Sequence, residues 1–365
     1  MIRTRPHLAA IPPYTPGTPV EQLVAARSLV DPVRLSANEN PFSPPAPVLE
    51  AMSVAAADSN RYPRDDAPEL REAIAASTGA DLASVAVGCG SLDLFFQVCL
   101  ALLDPGDVVV CPALSFPEYW RIPQVLRADV RSAPMAGFEV DLDAMLRAVD
   151  ADTRLVVVGN PNNPTGTVVT PARLKRFLSE VPASTAVLVD EAYVEFCEPS
   201  LRPPSVAWLK EHPNLVVTRS FSKAMGIGGI RLGYLMADPA FLLELRKVHL
   251  TFAVSGIAQA AGVALLSEPS ITVLAERVEQ IRAERARLEE AVANLGLPVV
   301  HSEGNFLFIP TSQGVEIVEW LVSRGVLVRL VPRAGVRMTV GDRTENGRLL
   351  SALEAWSASH AAEHP

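Results

Sequence analysis

The chain has 365 residues, 49% of them hydrophobic and 20% charged, which is enough for two domains with sizeable cores and too apolar for disorder as the main state. A net charge of -9 argues against nucleic acid or an anionic membrane as its main partner. Four of the 32 basic residues are lysines, Lys175, Lys210, Lys223 and Lys247, so chemistry that needs a primary amine has four candidates.

The first forty residues are proline-rich and lack sustained periodicity, which predicts an irregular N-terminal arm with a short helix near residues 19 to 29. From about residue 45, short β-branched runs alternate with helical stretches, the pattern of an α/β domain around a mostly parallel sheet. The predicted strands cover 84 to 88, 107 to 111, 154 to 160, 185 to 192, 214 to 220 and 231 to 237, and their near-continuous apolar character fits strands covered on both faces. After about residue 255 the character changes. A long charged helix over 271 to 296 is followed by a strand at 305 to 310, a helix near 314 to 323, strands at 326 to 331 and 336 to 341, and a last helix near 344 to 357. The expected domains are therefore an arm and part of the small domain over 1–44, a large domain over 45–255 and a smaller α+β domain over 256–365.

No apolar run approaches the roughly 20 residues that span a bilayer. The opening segment MIRTRPHLAAIPPY lacks the apolar middle of a signal peptide, so a cytoplasmic protein is expected. The four cysteines show no C-x-x-C spacing and the six histidines no ligand pair, so no metal site is expected.

In open α/β sheets, ligands bind beyond the carboxyl ends of strands, and those positions are unusually polar here. Gly88-Cys89-Gly90-Ser91 leads from a strand into a helix, where small residues let backbone N–H groups approach an anion. Asp93 stands where a dinucleotide fingerprint needs its third glycine, and the lysine of a P-loop is missing. The strand predicted at 154 to 160 ends in Asn160-Pro161-Asn162-Asn163-Pro164-Thr165-Gly166, a turn carrying three short amides. Another ends at Asp190, a carboxylate that needs a cation or strong donor once buried, with Tyr193 three residues on. Lys223 follows Ser220 and Ser222 and precedes Arg231 by eight residues, a setting in which desolvation and a neighbouring cation lower an amine's pKa. The other three lysines lie in charged or helical stretches and read as solvated charges.

Taken together, Asn163-Pro164-Thr165-Gly166, Asp190 with Tyr193, Lys223 and Arg231 resemble, in order and spacing, the pyridoxal-phosphate site of the aspartate aminotransferase superfamily. NENPFSPP at 38 to 45, RYP at 61 to 63, ELREAIA at 69 to 75, VDEAYVEF and SFSKAMGIGGIRLGY are similar to the histidinol-phosphate aminotransferase family. GCGS at 88 to 91, VHLTFAVSGIAQAA at 248 to 261 and SEGNFLFIP at 302 to 310 more closely resemble its actinobacterial aromatic (phenylalanine) aminotransferase branch. The resemblance covers nearly the whole chain. It implies an aspartate aminotransferase-like fold, pyridoxal 5'-phosphate as cofactor and a homodimer with shared active sites.

By the same resemblance, Lys223 forms the imine with the cofactor and shuttles the proton at substrate Cα, and Asp190 pairs with the pyridinium nitrogen. Tyr193 and Asn163 bond the ring's O3', and Phe116 in PALSFPEY stacks on the ring. The phosphate falls to the backbone of Gly90, Ser91 and Leu92, to Ser220, Ser222 and Arg231, and to Tyr62 reaching from a partner subunit. Arg337 matches the clamp for the substrate α-carboxylate, while Tyr14, Asn38 and Arg329 match positions lining the substrate pocket.

Two departures from the family pattern, Leu92 for an acidic residue and Ala253 for an asparagine, make the region less polar and tilt specificity toward an aromatic side chain. The expected reaction is ping-pong transfer of an amino group between phenylalanine or tyrosine and a 2-oxo acid such as 2-oxoglutarate. Histidinol phosphate as donor, a phospho-amino-acid decarboxylase and a binding protein that has kept the scaffold are the competing readings.

Overall fold

Chain order and strand order differ in a way that gathers four strand ends at one place. The computed structural model describes residues 2–13, 29 and 31–360, so Tyr14 and the helix expected near 19 to 29 lie outside the described residues. A short strand, β1 (Val33–Arg34), is followed by β2 (Val85–Gly88), β3 (Val108–Pro112) and β4 (Asp129–Ala133), then by a small hairpin of β5 (Met135–Ala136) and β6 (Glu139–Val140). Next come β7 (Thr153–Gly159), β8 (Ala186–Asp190), β9 (Leu215–Ser220) and β10 (Gly233–Met236). The main sheet has seven strands in the order β2-β10-β9-β8-β7-β3-β4, parallel throughout except that β10 runs against both neighbours.

Both faces of this sheet are buried, which explains the apolar runs. In β7, Val156 and Val158 join one hydrophobic cluster with Val187, Val189 and Val217, whereas Leu155 and Val157 join a second with Leu188 and Val216. Period-two alternation thus feeds two cores from one strand. β4 is absent from the sequence reading for the converse reason. Its residues DVRSA are mostly solvent-accessible at the sheet edge, where only Ala133 is buried, so no apolar run marks it.

The C-terminal third adds β11 (Phe306–Pro310), β12 (Val326–Leu327), β13 (Arg329–Val331) and β14 (Gly335–Thr339). The single strand expected over 326 to 331 is broken in two. β12 pairs in parallel with β1, while β13 pairs with β14 in the three-stranded sheet β11-β14-β13. The long helix spans Glu268–Asn294, opened by a proline in its first turn and followed by Gly296 at φ 75, a left-handed conformation that a residue without Cβ accepts freely. Helices Gly314–Ser323 and Arg343–His360 pack with it around Phe306, Met338, Leu353 and Trp356. This third core also takes in Tyr193, Phe196 and Ala224, so residues after β8 and β9 touch it directly.

Candidate active site

The carboxyl ends of β7, β8 and β9, with the turn after β2, open into one cleft of about 400 Å³ whose opposite wall is Ser36, Ala37, Glu39 and the β13–β14 hairpin. Ser91, Leu92, Phe116, Asn163, Asp190, Tyr193, Ser220, Ser222, Lys223, Arg231, Arg329 and Arg337 all line it.

One end of the cleft is shaped for an anion. Gly90 caps the helix Ser91–Leu102 at φ 95 and offers no side chain to the helix's first N–H groups. A Cβ on Gly90 would sit 2.6 Å from Arg231 Nη2, and one on Gly233 would sit 2.4 Å from the Ser91 nitrogen. The guanidinium and the helix start therefore approach at distances only glycine permits. Arg231 Nη1 donates to Gly228 O at 2.8 Å and to Ser222 Oγ at 3.4 Å, while Ser220 Oγ accepts from the Ser222 N–H at 3.0 Å. Uncapped N–H groups at the positive end of a helix dipole, a guanidinium and two hydroxyls form a donor set suited to a phosphate. Asp93 serves the turn itself, accepting from Cys89 N at 2.8 Å and Gln97 Nε2 at 3.0 Å.

In the middle of the cleft, Lys223 Nζ donates to the carbonyls of Ala37 at 3.2 Å and Asn38 at 3.0 Å. Burial lowers its pKa to about 8, helped by the charges of Arg337 and Arg231 against the opposing pull of Glu39 and Asp190. The other lysines are exposed and paired with carboxylates: Lys175 with Glu211, Lys210 with Asp81, Lys247 with Glu244. Such surface pairs contribute little to stability.

Asp190 receives three donors. Its Oδ2 accepts from the Tyr119 hydroxyl at 2.7 Å, and its Oδ1 from Ala192 N at 3.1 Å and Thr218 Oγ1 at 3.2 Å. Burial still raises its pKa from the ordinary value despite these donors. Tyr119 and Thr218 are absent from the sequence reading, although both carried signals. Thr218 follows the apolar run of Leu215, Val216 and Val217 in β9 and is the register partner of Asp190. Tyr119 lies three residues past Phe116, in the first turn of the helix Glu118–Val125.

At the far end, Tyr193 Oη accepts from Asn38 Nδ2 at 3.1 Å and Asn163 Nδ2 at 3.3 Å. Asn163 Oδ1 in turn accepts from Arg337 Nη1 at 2.6 Å, and Arg337 Nη2 donates to Ser36 O at 2.6 Å. Asn38 takes a left-handed backbone (φ 52) and gives its N–H to Thr339 Oγ1 at 2.9 Å. Arg329 lies directly across the hairpin from Arg337. Tyr62 is not part of this assembly: it is 82% exposed and stacks on Phe252, ring centroids 4.7 Å apart.

The family model for aminotransferase class I and II matches residues 30–353. The chain belongs to that family. As a class I/II aminotransferase it is a transaminase, with the expected aspartate aminotransferase-like fold. It is 39% identical over 360 residues to an aromatic amino acid aminotransferase of Rhodococcus erythropolis, covering 98% of this chain and 97% of that one. It is 37% identical over 358 residues to histidinol-phosphate aminotransferase 1 of Cupriavidus pinatubonensis, covering 95% of each. Among solved structures, the histidinol-phosphate aminotransferase of Sinorhizobium meliloti in complex with pyridoxal-5'-phosphate superimposes with a TM-score of 0.89 at 28% identity, over 98% of each chain. No single helix among the described residues is long and apolar enough to cross a membrane.

Proposed function

We propose that this transaminase uses pyridoxal 5'-phosphate and moves an amino group, by a ping-pong cycle, between an aromatic L-amino acid and a 2-oxo acid such as 2-oxoglutarate. Bound in the cleft, the cofactor supplies a carbonyl that condenses with amines and a ring that takes up the electron pair left when the Cα–H bond breaks. The phosphate belongs at Gly90, Ser91, Leu92, Ser220, Ser222 and Arg231, where a Cβ would fill the cradle. Phe116 would wall the ring and Asp190 would supply the carboxylate for its nitrogen, both lining the cleft. Tyr193 and Asn163 hold the polar edge between Asp190 and Arg337.

Lys223, lowered to about 8, keeps a neutral fraction near neutrality that an ordinary lysine lacks, so it can attack a carbonyl and then carry the proton at Cα. Arg337 is held by Asn163 and Ser36 through one N–H of each Nη, and the guanidinium lines the cleft where a carboxylate would set Cα next to that amine. The observation that carries the aromatic reading is the apolar run Leu330, Val331 and Pro332, which lines the cleft on the hairpin that carries this arginine and suits a ring more than a phosphate. Histidinol phosphate remains the second reading because Arg329, a further cation, also lines the cleft. Identity to the relatives, 39% against 37%, does not separate the two.

Exposed Tyr62 and Phe252 support a homodimer in which Tyr62 completes the partner's phosphate site; Tyr14 and Asn38 belong to the substrate side. A cytoplasmic location accompanies this reading. Steady-state kinetics with phenylalanine, tyrosine and histidinol phosphate as donors tests the substrate. Higher kcat/KM for the aromatic donors is expected, and a far higher value for histidinol phosphate would overturn it.

A further inference from the structure

Asp190 stands at the end of β8 with its two oxygens served unequally. Oδ1 has two donors at 3.1 and 3.2 Å, while Oδ2 has the Tyr119 hydroxyl at 2.7 Å, the shortest of the three. Tyr119 is 4% exposed, and its phenol is pushed well above the ordinary range first by burial and then by the Asp190 charge, so it remains a donor at any working pH. Its ring is held on two sides, edge-on to Phe95 at 5.5 Å and to Phe116 at 5.6 Å. Gly159, at the end of β7, makes room for the hydroxyl: a Cβ there would lie 3.2 Å from the Tyr119 oxygen. The phenol is thus locked by packing and reaches one carboxylate oxygen.

A carboxylate buried among apolar strands drifts toward its neutral form, and each donor to the anion opposes that drift. Asp190 also feels the positive charge of Lys223 and the like charge of Glu191, and Tyr193 and Cys111 lie within electrostatic reach of Tyr119. We propose that Tyr119 is a positioning residue that acts through its hydroxyl on Asp190 Oδ2, keeping that carboxylate ionised and in one orientation, and so sets the acid limit of cofactor retention. This inference rests on the pyridoxal-phosphate reading above. Tyr119 acts on the cofactor through Asp190.

The test is cofactor binding followed by visible absorbance and fluorescence across pH 5 to 9, without substrate. Tyr119→Phe removes the hydroxyl and keeps the ring, so its melting temperature should stay near that of the parent protein. Cofactor affinity at neutral pH should fall about tenfold, as expected for a hydrogen bond to a charged group. The pH below which cofactor is lost should rise by about one unit, because the loss of a donor destabilises the anion. In an Asp190→Asn background, Tyr119→Phe should change affinity by less than about twofold, since the coupled charge is gone. An unshifted pH profile, or an undiminished effect in the Asp190→Asn background, overturns the role of Tyr119 alone. A parent protein that binds no cofactor overturns the pyridoxal-phosphate reading and this inference with it.

Discussion

The two ends of the cleft are built differently. The end proposed for the phosphate is made by neighbouring features of one sheet: the turn after β2, the hydroxyls at and just past the end of β9, and Arg231 before β10. Its tolerances are tight, since Gly90 and Gly233 leave no space for a Cβ. The substrate end is assembled across the chain, from Ser36 and Asn38 near the N-terminus, Asn163 after β7, and Arg329 and Arg337 from the distant hairpin. The difference suggests a division of labour: a rigid end that holds what stays bound, and a composite end that can vary with what is turned over.

Substitutions separate the two. The largest effect is expected at the junction: Lys223→Ala should lower transamination at least about a thousandfold while the fold persists, as steady-state rates and circular dichroism would show. Residual turnover within tenfold of the parent would remove Lys223 from the mechanism. The same amine predicts a pH dependence. Its pKa lies below the ordinary lysine value, so the neutral, reactive form predominates above about 8. The rate at which apoprotein takes up cofactor should therefore rise about tenfold per unit below that pH and level off above it, as stopped-flow absorbance would report.

At the substrate end, Arg337→Lys keeps the charge and loses the fork. A drop of about a hundredfold in kcat/KM for amino and oxo acids, with an unchanged cofactor spectrum, is expected. Loss of cofactor in this variant would mean that the two ends are not separable. At the phosphate end, Gly90→Ala imposes φ 95 on an alanine and crowds Arg231, so cofactor affinity should weaken about tenfold by equilibrium dialysis.

The smallest effect concerns the support behind β8. There Glu191 binds Arg219 at 2.8 Å and accepts from the Ser205 hydroxyl, and burial pushes the nearby Glu195 carboxyl up to about 7. Since the folded pKa exceeds the unfolded one, the native state binds the extra proton between about 4.5 and 7, and stability falls as pH rises through that window. Glu195→Gln should flatten the fall, so that its melting temperature gains on the parent by a few degrees between pH 5 and pH 8. Parallel curves would show that Glu195 is better solvated than its surroundings imply.

Much of this cleft could be read from sequence because its residues sit where apolar runs stop: Asp190 and Ser220 end strands covered on both faces, and Gly90, Asn163 and Lys223 follow such strands. What escaped has physical reasons. β4 is an edge strand and lacks an apolar run, and the break at Val328 depends on β1 and β14 competing for one stretch of chain. Tyr119 looked like one helical residue among others, because its partner Asp190 is 71 positions away and only the parallel register brings them together. Tyr62 is exposed and does not line the cleft, so the role proposed for it turns on a second subunit.

The central claim is that one amine of four carries the chemistry. Borohydride reduction of the cofactor-loaded protein, followed by peptide mapping, tests it most directly. A pyridoxyl label confined to Lys223 is the predicted result. A label on Lys175, Lys210 or Lys247, or no stable label on a protein that transaminates, would contradict the account.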